Sequence, residues 1–222
     1  ILLYLKRNLF EVDICTNGTL INIKRAKKLS EILSEISVSV DSFLEKKNDK
    51  YRGIGSWEKT MHGIRCLLDC GIDVHTISIL NIDTLDDIEK NISFLSKLGV
   101  KSITFIGQIS VEDKFNPLIS DEIQEYLKEK FKALREVYSN ISINTREVFI
   151  NSGFNKCFAG INLFAISADM NLYPCLLRKD LDYIDLSKNV QGIDDLFRIL
   201  RTKVHNIQDG EGICPGSKIF YY

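Results

Sequence analysis

Ile36-Ser37-Val38-Ser39-Val40-Asp41 alternates apolar and small polar side chains with a period of two. That period sends Ile36, Val38 and Val40 to one face of a β-strand and Ser37, Ser39 and Asp41 to the other. Upstream, Asp13, Cys15 and Asn17 alternate with Val12 and Ile14. Downstream, Thr76 and Ser78 share a face, as do Thr104 and Gln108. The strand segments read as 10–15, 36–41, 72–80 and 100–106, the first ending at the turn signal Thr16-Asn17-Gly18.

Helical periodicity fills the intervals. It covers 24–33, then a segment capped by Ser56 that runs through Trp57, Met61, Ile64, Leu67 and Leu68, with Gly71 as C-cap. Thr84 opens the next helix, with Asp86 and Asp87 in the first turn where the helix dipole favours negative charge, and Gly99 closes it. Ser120 caps a long helix that runs through Tyr138. Alternation of this kind with short connections predicts an α/β fold: a parallel sheet with helices outside, doubly wound or rolled into a barrel. Parallel strands are normally buried on both faces and read as continuous apolar runs. Several polar faces together therefore suggest a solvated interior that holds a polar ligand. The alternative is hydroxyls that bond locally to backbone.

Composition excludes several classes. The 222 residues are 45% hydrophobic and 27% charged, with a formal net charge of −1. A polyanion-binding protein usually carries a basic excess, so no nucleic-acid partner is expected. No apolar run approaches a membrane span, so no membrane partner is expected and the location is read as cytoplasmic. Residues 1–5 are apolar but stop at Lys6-Arg7, too short for a signal peptide. The chain opens without Met in what reads as the middle of a helix, so a truncated start is expected. Lys46-Lys47 reads as a short solvated charge run. His62, His75 and His205 read as satisfied structural residues.

After Ser139 the rhythm changes, and a boundary is placed near residue 147, giving domains 1–147 and 148–222. Segments 161–167 and 171–173 read as a β-hairpin around Asp169-Met170, followed by Tyr173-Pro174-Cys175; 193–204 reads as a short amphipathic helix. Of the six cysteines, Cys15, Cys66 and Cys70 lie in apolar-periodic segments and read as core. Cys157, Cys175 and Cys214 sit among Gly, Pro and Asn, and no secretory segment argues for disulfides. Thiolates converging from separate turns suit an iron–sulfur cluster or structural zinc, while three ordinary cysteines remain the plain alternative.

Residues 14–21, Ile14-Cys15-Thr16-Asn17-Gly18-Thr19-Leu20-Ile21, resemble the third strand and following turn of radical SAM enzymes. Residues 36–41 resemble their fourth strand, and Lys50-Tyr51-Arg52-Gly53 with Gly55-Ser56-Trp57 the segment that follows. Cys157-Phe158-Ala159-Gly160 and Asp169-Met170-Asn171-Leu172-Tyr173-Pro174-Cys175 resemble the opening of the SPASM or twitch extension, with Cys214 where the next ligand cysteine falls. The family's CxxxCxxC loop and Gly-Gly-Glu strand do not occur in the 222 residues. Met170 stands where the family usually has Gly, and Ser217 where a further cysteine generally follows.

The resemblance implies a partial (β/α)6-type TIM-like barrel missing its first strands, plus a small cysteine-containing SPASM/twitch extension. It implies S-adenosyl-L-methionine (SAM) as cofactor, with Ser39 and Asp41 near the ribose and Arg52 at the carboxylate, which a guanidinium binds with two parallel hydrogen bonds. Asn17 is a further candidate near the cofactor, equally suited to its turn. Cys157, Cys175 and Cys214 would ligate an auxiliary [4Fe–4S] cluster, and the catalytic [4Fe–4S] cluster is expected only in an intact parent. The parent would generate a 5′-deoxyadenosyl radical to modify a peptide or protein, drawing electrons from a reductant such as flavodoxin or ferredoxin. No catalytic residue is assigned. The alternative is a non-catalytic, shortened relative that binds a peptide or partner and carries a structural metal site.

Overall fold

The computed structural model describes residues 2–8, 10–108, 120–146, 165–173 and 184–186. The chain divides into two compact units, Ile1–Ile150 and Asn151–Tyr222.

The first unit opens with helix α1 (Leu2–Arg7) and strand β1 (Cys15–Thr16). Helix α2 (Ile23–Ser30) starts where Asn22 Oδ1 accepts the Arg25 N–H at 3.0 Å, satisfying one of the amides that a helix start leaves free. Strand β2 (Glu35–Ser39) leads to α3 (Glu45–Arg52) and α4 (Ser56–Asp69), then β3 (Asp73–Leu80). A short 3-10 turn (Leu85–Asp87) precedes α5 (Ile88–Leu98) and β4 (Ser102–Gly107). Helix α6 (Asp121–Val137), capped by Ser120 as the sequence predicts, leads to β5 (Ser142–Arg146).

The five strands form one sheet in the order β1-β2-β3-β4-β5, every pair parallel. The α/β class expected from the alternating segments is the class observed. The register aligns Cys15, Ser37, His75, Ser102 and Ser142 across the sheet, and Ser39, Ile77, Thr104 and Asn144 in the next row on the same face. The opposite face carries Val38, Val74, Ile103 and Phe105, all buried against residues of α4, α5 and α6. Phe105 meets Phe131 of α6 at 5.1 Å between centroids with rings tilted by 45°, a favoured aromatic geometry. Each such side chain contributes about 1.5–3 kcal/mol by leaving water.

Thr76 and Ser78 depart from expectation. They lie on the helix-facing side of β3 and are fully buried, while Ile77 and Ile79 take the open side. Both hydroxyls bond to neighbouring backbone, Ser78 Oγ to Val40 O and Thr76 Oγ1 to Ser102 O at 3.4 Å. Burial is therefore tolerable: the hydroxyls bond backbone, as in the plainer reading, but across the sheet and not locally in the sequence.

Helix α4 ends as expected. Gly71 is left-handed with φ 73°, and Ile72 N–H reaches back to Leu67 O at 3.1 Å, the paired closure of a Schellman turn. Its start differs: Ser56 is the first helical residue, and the cap comes from Asp49 of α3. The Asp49 carboxylate accepts from Trp57 N–H at 2.8 Å, Ser56 Oγ at 2.9 Å and Gly55 N–H.

In the second unit, β6 (Ala165–Ile166) and β7 (Asn171–Tyr173) pair antiparallel, and β8 (Ile184–Asp185) joins β7. The hairpin turns at Asp169-Met170 as the sequence predicts. Ser167 N–H bonds Asn171 O at 2.9 Å and Met170 N–H bonds Ser167 O at 3.0 Å. Met170 carries φ 63°. That is the left-handed position of a three-residue hairpin loop, where Gly is normally preferred.

Candidate functional site

Helix α3 organises the C-terminal end of β2. Its sequence, EKKNDKYR, has no apolar stripe, so packing alone cannot hold it. Side-chain bonds do. Lys47 pairs with Asp87 and donates to Asp83 O at 2.8 Å, while Lys50 and Tyr51 both donate to the Asp83 carboxylate. Lys47 is thus an anchor and not part of a solvated charge run. Asp83 is held below the usual carboxylate range chiefly by the Lys50 hydrogen bond, then by Tyr51.

The other side of α3 faces the strand end. Arg52 Nε and Nη2 donate to Asp41 Oδ2 at 2.6 Å and Oδ1 at 2.7 Å, a bidentate pair. The Asp41 side chain is 5% exposed and that of Arg52 21%. Asp41 Oδ1 also accepts Ile79 N–H at 2.9 Å, and Asp41 N–H donates to Asn48 Oδ1 at 3.1 Å. Arg52 Nη1 has no hydrogen-bond partner among the described residues. It belongs to the residue that lines an open groove of about 260 Å³ with Thr19, Leu20, Gly53, Ile54, Ser56 and Lys59. Leu20 is 73% exposed and Ile54 98%.

Asn17 sits in the turn after β1. Its Oδ1 accepts from Thr19 N–H at 3.1 Å and Thr19 Oγ1 at 2.9 Å, the local bonding of an Asx turn. The Asn17 carbonyl accepts from Thr60 Oγ1 at 2.7 Å, which ties the turn to α4. Ser39 lies on the open face of β2, half-buried, and its hydroxyl has no partner among the described residues. Of the candidates read from sequence, the structure joins Asp41 and Arg52 directly and puts Ser39 one pleat before Asp41. Leu20, Ile54 and Lys59 also line the groove; Leu20 falls within the 14–21 stretch and Lys59 two residues after Trp57, but the sequence singles out neither as a site residue.

On the same open face, at the opposite ends of the strands, His75 Nδ1 meets Ser102 Oγ at 2.6 Å and His75 Nε2 meets Glu35 Oε2 at 3.2 Å. The contacts bridge β2, β3 and β4 at the N-terminal ends of the strands, the end of parallel α/β barrels that serves stability rather than catalysis. Cys66 and Cys70 have the CxxxC spacing, but Cys66 lies on α4 and Cys70 at its end. Burial first, then Asp69, pushes the Cys66 thiol up. A raised thiol is less often the thiolate that a metal takes. Among the described residues no three His, Cys, Asp or Glu side chains are grouped to hold a metal. Cys157, Cys175 and Cys214 lie outside the described residues. No described helix is long and apolar enough to cross a membrane.

Residues 1–95 match the family model of the Radical SAM superfamily. Over 94 residues, 41% of this chain and 23% of the relative, the sequence is 36% identical to Fe-coproporphyrin III synthase of Methanosarcina barkeri. Over 209 residues, 85% of this chain and 61% of the relative, it is 26% identical to the probable GTP 3′,8-cyclase of Methanosarcina acetivorans. The chain therefore spans less than two thirds of either relative. Among solved structures, SuiB of Streptococcus suis bound to precursor peptide SuiA superposes with a TM-score of 0.69 at 13% identity, over 88% of this chain and 49% of that one. SuiB bound to S-adenosylmethionine gives 0.64 at 10% identity, over 98% and 52%. At such identities the likeness is one of fold.

Proposed function

We propose that this chain is the cofactor-facing part of a radical SAM enzyme, with SAM held at the end of β2 by Ser39 and Arg52. The carrying observation is Arg52: a guanidinium fixed by two bonds, with Nη1 unpaired among the described residues, lining an open groove. A carboxylate such as that of SAM suits that edge. The Ser39 hydroxyl, on the same strand end and without a partner among the described residues, suits a ribose hydroxyl. The match of residues 1–95 to the superfamily model supports the same reading. Bound with a reduced cluster, SAM would supply a hydrogen-abstracting radical; Ser39 and Arg52 would bind and orient it.

Residues 148–222 are proposed as a SPASM/twitch-like domain in which Cys157, Cys175 and Cys214 hold an auxiliary [4Fe–4S] cluster. The substrate is proposed to be a peptide or protein, supported by the likeness in fold to SuiB, solved with its precursor peptide. Electrons would come from a flavodoxin or ferredoxin. The names of the two curated relatives favour a second reading, a small-molecule substrate.

The test uses protein expressed from the whole reading frame around these residues, handled without oxygen. Release of 5′-deoxyadenosine from SAM on reduction, absent from the 222-residue chain alone, is the expected result. Iron content that falls in Cys157→Ala and Cys175→Ala is expected for the auxiliary cluster. A full-frame protein that takes up no iron and leaves SAM intact overturns the proposal and favours a binding module.

A further inference from the structure

We infer that Asp41 is a positioning residue for Arg52 and not a ribose ligand, an inference that rests on the SAM-binding reading above. Its carboxylate is already engaged. Oδ1 accepts both Arg52 Nη2 at 2.7 Å and Ile79 N–H at 2.9 Å, and Oδ2 accepts Arg52 Nε at 2.6 Å. A carboxylate offers about four acceptor sites, so little capacity is left. Only 5% of the side chain is exposed, so a ribose hydroxyl has no open approach. The backbone is fixed as well, because Asp41 N–H donates to the buried Asn48 side chain at 3.1 Å.

The pair has a direction. Asp41 takes the Nε and Nη2 edge of the guanidinium, and Arg52 lines the groove with Nη1 unpaired among the described residues. A flexible cation would lose rotamer freedom on gripping a ligand; one already held by a buried carboxylate loses less. Asp41 thus sets where the guanidinium points, and its effect on a ligand passes through Arg52. The ligand group it governs is the amino-acid carboxylate, not the sugar.

The measurement compares two ligands that share the adenosine and differ in the amino-acid end. S-adenosylhomocysteine carries the carboxylate; 5′-methylthioadenosine does not. Calorimetric affinities are taken for the wild-type chain, Asp41→Asn and Arg52→Gln, with matched circular dichroism and melting curves. Asp41→Asn is expected to weaken S-adenosylhomocysteine about tenfold and to leave 5′-methylthioadenosine within about twofold. The double variant is expected to lose little beyond Arg52→Gln, because the two residues act as one unit. If Asp41→Asn does not fold, Asp41→Glu, which keeps the charge and displaces the fork, is expected to lose the same discrimination. Equal weakening of both ligands, or an unchanged ratio between them, overturns the inference while leaving the SAM-binding reading intact. A wild-type chain that binds neither ligand overturns that reading, and the inference with it.

Discussion

The backbone carbonyl of Gly18 lies against Gly63 of α4, so close that a Cβ on Gly63 would stand 2.4 Å from the oxygen. The turn cannot easily retreat. Thr60 Oγ1 holds the Asn17 carbonyl at 2.7 Å, and Gly18 itself needs φ 74°. The contact brings the β1 turn, with Thr19 and Leu20, to the groove that Arg52 and Lys59 line.

Gly63→Ala therefore forces backbone apart where helix propensity alone would favour the alanine. The expected cost is about 1–3 kcal/mol, the range for overpacking a filled interior. Urea unfolding of the two proteins checks it. A gain in stability would show that the turn yields freely.

The Asp83 cluster makes stability depend on pH at both extremes. Asp83 is lowered from its ordinary 3.8, Lys50 raised from 10.5 and Tyr51 raised from 10.0, the largest cause in each being the hydrogen bonds they share. A lowered carboxylate contributes stability fully present above its unfolded pKa and lost as pH falls through the folded value. Raised Lys and Tyr contribute stability fully present below their unfolded pKa and lost as pH rises through the folded value. Melting midpoints from about pH 6 down to 3 and from about pH 9 up to 11 are expected to fall less steeply in Asp83→Asn at both ends. Asp49, lowered chiefly by the Trp57 N–H, should preserve part of the acid-side slope in that variant. Parallel curves for the two proteins would contradict the assignment.

Met170 bears a side chain at φ 63°. Holding a non-glycine residue in the left-handed region costs about 1–2 kcal/mol. Met170→Gly is expected to recover about 1 kcal/mol, less what the unfolded chain gains in entropy. Amide exchange at Ser167 and Asn171, whose N–H groups bond across the turn, reads the hairpin directly, and slower exchange in the variant is the expected sign. Faster exchange would mean that the methionine side chain stabilises the turn by more than its strain.

The alternation in 36–41 was enough to place Val38 and Val40 in the core and Ser39 on the open face, because a period of two leaves one choice of side. It failed for Thr76 and Ser78, since which face of β3 meets the helices depends on packing, and backbone acceptors removed the cost of burying two hydroxyls. Strand β5 was not foreseen; its short run, SINTR, carries only one strongly apolar residue. Helix α3 escaped notice because its stability comes from side-chain bonds to residues distant in sequence, Asp41, Asp83 and Asp87, and not from an apolar stripe. Asp49 was invisible as a cap for the same reason, since a cap supplied from a preceding helix has no local spacing rule. Asp41 was legible as the polar end of the 36–41 run, and Arg52 only through the family resemblance. Their bonding to each other was not, because a fork between them requires α3 to turn back over β2.

The most direct measurement is calorimetric titration of SAM into the wild-type chain and into Arg52→Gln under identical conditions. Saturable binding by the wild type, weakened about tenfold or more by the substitution, is the predicted result for a carboxylate held by the guanidinium. Equal affinity in the two proteins, or no binding by the wild type, would contradict a SAM site at the end of β2.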